Sequence, residues 1–219
     1  ETMVYVGWAT VLSGLVFARR SRLAPALAAL MGGVALFVSN LNWLDPQITP
    51  LVPVLKSYWL MIHVSVVTAS YGFFGICAAC GIASLAATAF GRNLRELRAI
   101  NEMAMIVGLA LLTAGIFFGA VWANESWGRY WGWDPKETWA LITMFAYALA
   151  THSRHIPRLD GPFAFDVLSV VCFSTVLMTF FGVNYYLSGL HSYGHSGGVS
   201  LTVPLIGASV VIALIAAAA

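Results

Sequence analysis

The chain has 219 residues, of which 60% are hydrophobic and 9% carry a charged side chain. Its mean hydropathy of +0.83 excludes a water-soluble domain, because most apolar stretches are long enough to cross a hydrocarbon core of about 30 Å, which takes about 20 helical residues. The formal net charge of +2 says little about partners, since in a membrane protein the position of each charge matters more than the sum.

The hydrophobic pattern predicts an all-α, polytopic membrane bundle. Seven helices are expected, at residues 2–18, 23–39, 59–90, 101–122, 135–152, 162–188 and 199–219. We divide the chain into two N-terminal helices with their external connection, residues 1–58, and a core, residues 59–219, that contains a tryptophan-rich loop at 122–139. The chain starts without Met and stops inside an apolar run, so we expect it to be processed or part of a longer protein.

Basic residues indicate which side of the membrane each connection faces. Eight of the eleven Lys and Arg residues follow the first, third and fifth predicted helices: Arg19, Arg20, Arg22, Arg92, Arg95, Arg98, Arg154 and Arg158. By the positive-inside rule these connections are cytoplasmic. The other three basic residues are Lys56, Arg129 and Lys136. They lie on the opposite side with the loop 122–139, which is therefore expected to face the periplasm or its equivalent.

The loop 122–139 reads WANESWGRYWGWDPKETW and holds five of the eight tryptophans: Trp122, Trp127, Trp131, Trp133 and Trp139. Tryptophans at a membrane interface are usually anchors, and we interpret Trp8, Trp43 and Trp59 in that way. The density of tryptophans in the loop favours a binding role there. The run Asp134-Pro-Lys-Glu137 predicts a helix start, with an N-cap aspartate, proline at the first position and a capping box.

Two of the five histidines are expected at the outer face, where they flank the loop in sequence. His63 precedes Arg92 by 29 residues, about 43 Å of helix, so it stands at the outer end of its span if Arg92 is cytoplasmic. A similar count of 25 residues from Asp166 brings His191 to the same face. Histidine inside a membrane chain is costly enough to be a functional candidate.

The remaining histidines belong elsewhere. His152 follows Asp134 by 18 residues, about 27 Å of helix, which places it near the cytoplasmic end of the span and in another site. His155 and His195 are interpreted as loop residues. Cys77 and Cys80 have redox spacing, but they fall inside a predicted span and lack the histidine of a haem-attachment motif, so we interpret them as packing residues.

The outward histidines, the tryptophans and the basic side chains of Arg129 and Lys136 together suggest a large, flat ligand with a metal centre and acidic edges. Haem fits each part, because imidazoles can take both axial positions, indole rings can pack against the macrocycle and basic side chains can pair with the propionates. A zinc site would need three or four close ligands and no aromatic platform. A quinone would not need two histidines on different helices.

The loop also carries a family resemblance. WGRYWGWDPKETWALI, preceded by AVWANE, resembles the WWD signature of haem-handling proteins in cytochrome c maturation, and its ending resembles the CcsA (ResC) branch rather than the CcmC or CcmF branches. The resemblance extends from SYWLMIHV at 57–64 to VNYYLSGLHSYG at 183–194. It implies that His63 and His191 ligate external haem, that the loop tryptophans form a platform beside it, and that His152 belongs to a second haem site within the membrane.

The same resemblance implies partners and an activity. The second ligand of the membrane haem comes from a CcsB (ResB) partner, and the run LNWLDPQITPLVPVLKSYWL resembles the connection in forms where that partner is fused ahead of CcsA. The implied function is to move haem b to the outer face of the bacterial inner membrane, or into the thylakoid lumen, for thioether attachment to CXXCH motifs of apocytochrome c. Catalysis would act by positioning, with no evident general acid or base.

Two other classes stay open from the sequence. A haem transporter would bind and release haem without promoting the thioether bond. An electron carrier of cytochrome b type would cycle its iron against a quinone, but that class usually stacks paired ligands within helices, whereas these histidines lie at helix ends.

Overall fold

The computed structural model describes residues 2–40, 55–187, 189–191 and 202–219. Within these ranges the chain forms helices and no strand, which confirms the all-α class. There are seven: α1 Thr2–Val16, α2 Leu23–Ser39, α3 Tyr58–Ala89, α4 Arg95–Trp127, α5 Pro135–Thr151, α6 Pro162–Tyr186 and α7 Thr202–Ala218. The prediction of a helix at 101–122 is wrong at both ends, because α4 includes the polar turns on either side of the apolar run.

Three helices are long and apolar enough to cross a membrane: α3 with 32 residues, α4 with 33 and α6 with 25. At 1.5 Å per residue even α6 spans about 37 Å, which exceeds a hydrocarbon core of about 30 Å. The helices α1 and α2 and the segment Leu205–Ala218 are apolar but shorter, and α5 has 17 residues. The described residues therefore give an integral membrane protein with three clear candidate spans, and seven spans stay a prediction.

The helix α3 is the centre of the bundle, since it contacts α1, α2, α4, the first part of α6 and α7. Small residues on α3 allow these close approaches. A Cβ at Gly72 would lie 2.9 Å from the backbone carbon of Ala9 in α1, and one at Gly81 would lie 2.9 Å from the carbonyl oxygen of Asp166 in α6. The thiols of the chain, Cys77, Cys80 and Cys172, are free and buried in this core, as expected for packing residues.

Buried polar side chains join α4 to α6 near one end of the bundle. Arg98 donates to Asp166 Oδ2 from Nε at 2.8 Å and from Nη2 at 2.6 Å. One turn along each helix, Asn101 Nδ2 donates to Ser169 Oγ at 2.8 Å. Asp166 is only 1% exposed. A charge buried in a membrane helix is costly unless it is paired, so this pair sets the alignment of α4 against α6.

The helix α6 contains a π-helical turn at Met178–Gly182. Such turns insert an extra residue and change the direction in which the following side chains point. Thr179, within the turn, lies 3.1 Å from the hydroxyl of Thr143 in α5. Beyond the turn, Asn184 faces the start of α5, where its Oδ1 accepts from Lys136 Nζ at 3.1 Å.

The connection between α4 and α5 is shorter than the sequence suggested. Residues 122–127 are the last turns of α4 rather than loop, and α5 begins at Pro135, so the non-helical part is residues 128–134. Gly128 ends α4 with a φ of 71° and donates its N–H to the Asn124 carbonyl at 2.8 Å. Glycine adopts this left-handed conformation without steric cost, which explains where the helix stops.

Candidate functional site

A cavity of about 580 Å³ lies between α3, α4, α5 and the chain that follows α6. Five of the ten residues predicted for the site line it, namely His63, Trp122, Trp131, Lys136 and His191. The wall is mostly apolar, with residues such as Leu60, Val64, Val67 and Ile116 between the polar groups. Mostly apolar cavities with a few convergent polar groups are typical of cofactor and small-molecule sites.

His63 lies in the second turn of α3 and faces α4. Its Nδ1 is 2.7 Å from the carbonyl oxygen of Gly115. A carbonyl only accepts, so Nδ1 carries the proton and Nε2 keeps its lone pair in the neutral ring. Gly119 supplies the space for this ring, because a Cβ there would come 2.6 Å from His63 Cε1.

One face of α4 contacts both His63 and His191. Gly115, Gly119 and Trp122 follow one another at spacings of four and three residues, which places them on the same side of the helix. The first two contact His63, and the ring centroid of Trp122 is 5.6 Å from that of His191. Gly119 and Trp122 are about 4.5 Å apart along the axis. The helix therefore brings His63 and His191 to neighbouring positions on one cavity.

His191 is enclosed by a carboxylate and two tryptophans. Its Nδ1 is 2.9 Å from Asp134 Oδ1, and the two side chains are 15% and 4% exposed. The ring of Trp127 meets the imidazole edge-on, with centroids 5.0 Å apart and an interplanar angle of 84°, and it also contacts Trp122. Two tryptophans in the last turns of α4 thus hold a histidine in place, and the aspartate fixes its tautomer with Nε2 unprotonated.

Asp134 joins three parts of the chain. Its Oδ1 accepts from the Lys136 amide at 3.0 Å in α5, and its Oδ2 accepts from the Leu190 amide at 2.6 Å in the segment after α6. The backbone passes so close at Gly189 that a Cβ there would collide with the carboxylate. The carboxylate of Asp134 therefore ties the end of the loop, the start of α5 and the chain before His191 together.

The predicted capping box at the start of α5 is confirmed. The Oε2 atom of Glu137 accepts from the Asp134 amide at 3.2 Å and also from the Gly132 amide at 2.8 Å. Between them Trp133 adopts a φ of 55°. This left-handed conformation is unfavourable for a bulky side chain and persists only where the surroundings impose it. Glu137 accepts from the amides of Gly132 and Asp134, on either side of Trp133, and these two hydrogen bonds hold the backbone in this conformation.

The protonation states of the pair follow from its contacts. Burial opposes ionisation of Asp134, but the hydrogen bonds from the Lys136 amide, from His191 and from the Leu190 amide outweigh it and hold the pKa of the carboxyl below its ordinary value. Burial also lowers the pKa of His191, and this effect exceeds the opposite effect of the Asp134 charge. Near neutral pH the pair is therefore a carboxylate with a neutral imidazole.

The two basic residues predicted for the loop differ in position. Lys136 lines the cavity and donates from Nζ to Asn184. Arg129 is exposed, and its guanidinium lies against the backbone of Gly132, where a Cβ would come 2.5 Å from Cζ. Within the part of the chain that the structure describes, the cavity wall includes Lys136 and not Arg129. The positive charge available to a ligand in the cavity is therefore that of Lys136.

Trp131 and Trp133, in the connection 128–134, are placed differently from Trp122 and Trp127. Trp131 lines it. Trp133 is 71% exposed and packs perpendicular to Trp131, with ring centroids 5.7 Å apart and an angle of 89°. Trp131 therefore joins Trp122 as an indole in the cavity wall, and Trp133 packs against Trp131 from the exposed side.

His152 lies at the opposite end of α5, about 24 Å from Lys136 at helical rise. It is exposed, and its Nδ1 lies 2.8 Å from the Ala148 carbonyl oxygen. The ring centroid of His155 is 6.5 Å away. His195 and the connection at 41–54 fall outside the described residues. The structure thus separates His152 from the cavity residues.

Sequence reasoning missed the residues that support the two histidines. The Gly115 carbonyl accepts a hydrogen bond from His63, and Gly119 leaves room for its ring. Asn184 accepts from Lys136, and Tyr71 is a further residue of the cavity wall. The four-residue spacing of the two glycines just before the loop was a usable signal, since small residues at that interval mark a close approach of another element. Nothing in the sequence indicated which side chain would approach them.

Residues 1–191 match the sequence model of a family described as cytochrome c assembly protein. The chain is 49% identical over 201 residues to protein NrfI of Wolinella succinogenes, a match that covers 88% of this chain and 22% of NrfI. It is 34% identical over 226 residues to the cytochrome c biogenesis protein CcsA of Guillardia theta, covering 89% of this chain and 74% of that protein. With CcsA of Chlamydomonas reinhardtii it shares 36% identity over 201 residues, which cover 88% of this chain and 56% of that protein.

Proposed function

The chain belongs to the cytochrome c assembly protein family, and from this premise we propose that it carries haem across the membrane and presents it at the outer face for covalent attachment to apocytochrome c. The observation that supports this proposal most directly is the cavity shared by His63 and His191. In each ring Nδ1 is engaged by an acceptor, which leaves Nε2 for iron.

The donor set of the cavity suits haem. The neutral imidazoles of His63 and His191 would hold the iron through their Nε2 atoms. Trp131 and the apolar wall supply packing for the macrocycle, and Lys136 supplies a cation for a propionate. We assign His63 and His191 as axial ligands, Trp122, Trp127 and Asp134 as supports of His191, and Trp131, Trp133 and Lys136 as contacts or rim of the haem site. Arg129 is exposed and lies outside the cavity wall, so it is not assigned to the haem site.

The chemistry asked of the protein is positioning. In thioether formation each thiol of a CXXCH segment adds across one vinyl group, so that sulfur bonds to one carbon and the hydrogen goes to the other. The addition consumes no oxidant or reductant. The chain contributes by holding the haem in one orientation until the cytochrome's own histidine replaces one of the two ligands, and such fixed geometry lowers the entropic part of the barrier. This is the synthase activity of a System II assembly with a CcsB (ResB) partner.

Topology and a second site complete the proposal. The arginines near the ends of α3, α4 and α5 opposite the cavity favour a cytoplasmic location for that end, so the cavity opens to the periplasm of a bacterial inner membrane. His152 lies at this cytoplasmic end with an exposed ring. We assign it to a membrane haem whose second ligand comes from the partner, from which haem moves to the cavity.

A haem transporter without synthase activity is the alternative. It shares the cavity and both histidines with the synthase, so haem binding alone does not separate the two. Reconstitution with the partner, haem and a CXXCH peptide does. A synthase yields peptide with haem that stays attached under denaturing conditions, whereas a transporter leaves the peptide unmodified.

The test of the cavity itself is haem content and visible absorption of the purified protein. His63→Ala and His191→Ala should each lose haem, and free imidazole should restore it by filling the vacated axial position. His152→Ala should affect a separate haem, and His155→Ala serves as the control because it is exposed and lies outside the cavity. Unchanged haem in both cavity variants contradicts the external bis-histidine site.

A further inference from the structure

We infer that Asp134 is a positioning residue that sets the donor strength of His191, so that the two axial ligands are unequal. The inference rests on the proposed function, since it concerns how His191 would hold iron. Asp134 would then do more than cap α5, because its charge would reach the iron through the imidazole ring of His191.

The inequality follows from the acceptors of the two Nδ1 protons. His63 donates to a neutral backbone carbonyl at 2.7 Å. His191 donates to a carboxylate oxygen at 2.9 Å. An anionic acceptor draws the proton more strongly and increases electron density at the opposite nitrogen, which raises the basicity of the ligand. His191 is therefore the stronger donor to iron, above all to the ferric state.

The carboxylate is held so that it can act in only one orientation. The Lys136 amide binds Oδ1 and the Leu190 amide binds Oδ2. Both donors belong to the backbone, so they do not depend on flexible side chains. With one oxygen fixed by each, the Oδ1 that also faces His191 stays in place, and the imidazole has one tautomer available.

The ring of His191 is held in place as the carboxylate of Asp134 is. Trp122 is 1% exposed and contacts the imidazole from one side, and Trp127 contacts it edge-on from another. A rotation that would present Nδ1 to the cavity would break the bond to Asp134 and clash with these two rings. The arrangement thus selects Nε2 as the iron-binding atom of His191.

Asp134→Asn separates this role from capping. Asparagine is as good an N-cap as aspartate, and its one oxygen can still accept from the Lys136 amide and from His191. Its amide nitrogen then stands where the Leu190 amide finds its acceptor, so the charge and that one hydrogen bond are lost. Glu125→Gln is the matched control, because it removes one carboxylate at the outer end of α4 that bonds Ser57 at 3.1 Å and is exposed.

The measurement is the reduction potential and the ferric haem affinity of the full complex, with thermal unfolding beside them. We expect Asp134→Asn to keep a bis-histidine spectrum, to unfold at a lower temperature because the Leu190 amide loses its acceptor, and to lose about tenfold in ferric affinity. If ferrous affinity is unchanged, tenfold corresponds to a potential higher by about 59 mV. Glu125→Gln should leave both quantities at their wild-type values. Asp134→Ala should lose haem that imidazole restores.

Two results overturn the inference alone. The first is an Asp134→Asn potential equal to wild type, and the second is a variant in which only the unfolding midpoint falls, since then Asp134 is merely a cap. A wild-type complex without haem, or a His191→Ala variant with the wild-type spectrum, overturns the proposed function instead. The two sets of outcomes are distinguishable. The Asp134→Asn results can be obtained only if His191 ligates haem, whereas the other two results show that it does not.

Discussion

The imidazole of His63 in α3 occupies the volume that a side chain at Gly119 in α4 would need, with Cε1 2.6 Å and Nδ1 2.7 Å from the position of a Cβ there. One turn earlier on α4, the Gly115 carbonyl fixes the orientation of the same ring. The placement of His63 therefore depends on the backbone of α4 at Gly115 and Gly119.

Gly119→Ala should disturb His63 without touching its chemistry. Real Cβ atoms do not approach other atoms so closely, so the ring must move away, lengthen its bond to Gly115 and misplace Nε2. We expect external haem affinity to fall by about tenfold, the lower end of losses caused by supporting residues of metal ligands. The measurement is haem content at equal protein.

Gly33→Ala is the matched control, because Gly33 is also helical and nothing lies within 4 Å of a Cβ there. It should keep the wild-type haem content. A Gly119→Ala protein with the wild-type spectrum and affinity would show that α3 and α4 can separate without cost to the site.

The sequence predicts the helices well but locates the site only coarsely. Continuous apolar runs mark the centres of α3 and α6, and Asp134 with Pro135 marks the start of α5 within one residue. The ends of α4 were missed, because residues 95–100 and 123–127 carry polar side chains that the apolar run excludes. Leu97 and Ile100 recur at helical spacing before Ala104, and the structure buries all three. At the other end the helix continues until Gly128 ends it with positive φ.

The contacts within the site could not be predicted from spacing. Trp122 and Trp127 were expected to face a ligand, yet both contact His191, which lies far along the chain. The bond from His191 to Asp134 is likewise a tertiary contact. Local pattern indicates which residues are costly in a membrane, whereas their partners depend on how α4, α5 and the segment after α6 meet.

Lys136→Met should weaken haem binding through the loss of a propionate partner. Hydrogen bonds to a charged group contribute about 1.5–3 kcal/mol, so we expect about tenfold or more in affinity. The decisive comparison is haem against its dimethyl ester, which lacks the carboxylates. The variant should bind the ester as wild type does.

Arg129→Met controls for loss of charge in the same loop. Arg129 is exposed and lies against Gly132 rather than in the cavity wall, so binding of both ligands should be unchanged. Equal losses of haem and ester in Lys136→Met would mean that the lysine acts through Asn184 on the fold and not on the ligand.

Trp127→Ala should release haem faster than Trp133→Ala. The ring centroids of Trp127 and His191 are 5.0 Å apart, so removal of Trp127 leaves one side of the imidazole without a packing partner. Trp133 is 71% exposed and contacts Trp131 rather than His191. The rate of haem transfer to an excess of an apo-haemoprotein measures the difference. Trp127→Ala combined with Trp131→Ala should reduce retention sharply, and equal rates in all variants would leave the tryptophans as membrane anchors.

Acidification should destabilise the haem-free protein through His191 and Asp134. Burial holds the pKa of His191 below its ordinary value, so below about 6.5 the unfolded chain binds a proton that the folded protein does not. Stability then falls as pH decreases until the folded pKa is passed. The pKa of Asp134 is also lowered. The carboxylate therefore stabilises the folded protein fully above about pH 3.9, and this stabilisation is lost as the pH falls towards the folded pKa.

The difference in unfolding midpoint between wild type and His191→Gln, followed in detergent from about pH 7 to about pH 5, isolates His191, since Asp134 stays ionised there. His191→Gln should show a shallower decline than wild type, whereas His155→Gln, an exposed position, should follow wild type. An identical slope in His191→Gln would show that the burial of His191 does not govern its protonation.

Asp166→Asn should destabilise the bundle far more than loss of the surface pair nearby. Asp166 is 1% exposed and pairs with Arg98, whose side chain is 17% exposed, so its neutralisation leaves a partly buried guanidinium without its counter-charge, at a cost of up to about 3–5 kcal/mol. Arg154 and Glu102 are also 2.6 Å apart, but their side chains are 62% and 40% exposed, and such pairs contribute about 0–1 kcal/mol. Arg154→Gln is therefore the control.

The readout is the unfolding midpoint of each purified variant together with its haem content. Because α4 carries the contacts of His63 and Trp122 as well as Arg98, a shift of α4 against α6 should also lower external haem in Asp166→Asn. A double variant, Arg98→Leu with Asp166→Leu, removes both charges and should recover most of the stability. Recovery of stability without recovery of haem would mean that the pair sets the register of α4 rather than merely its stability.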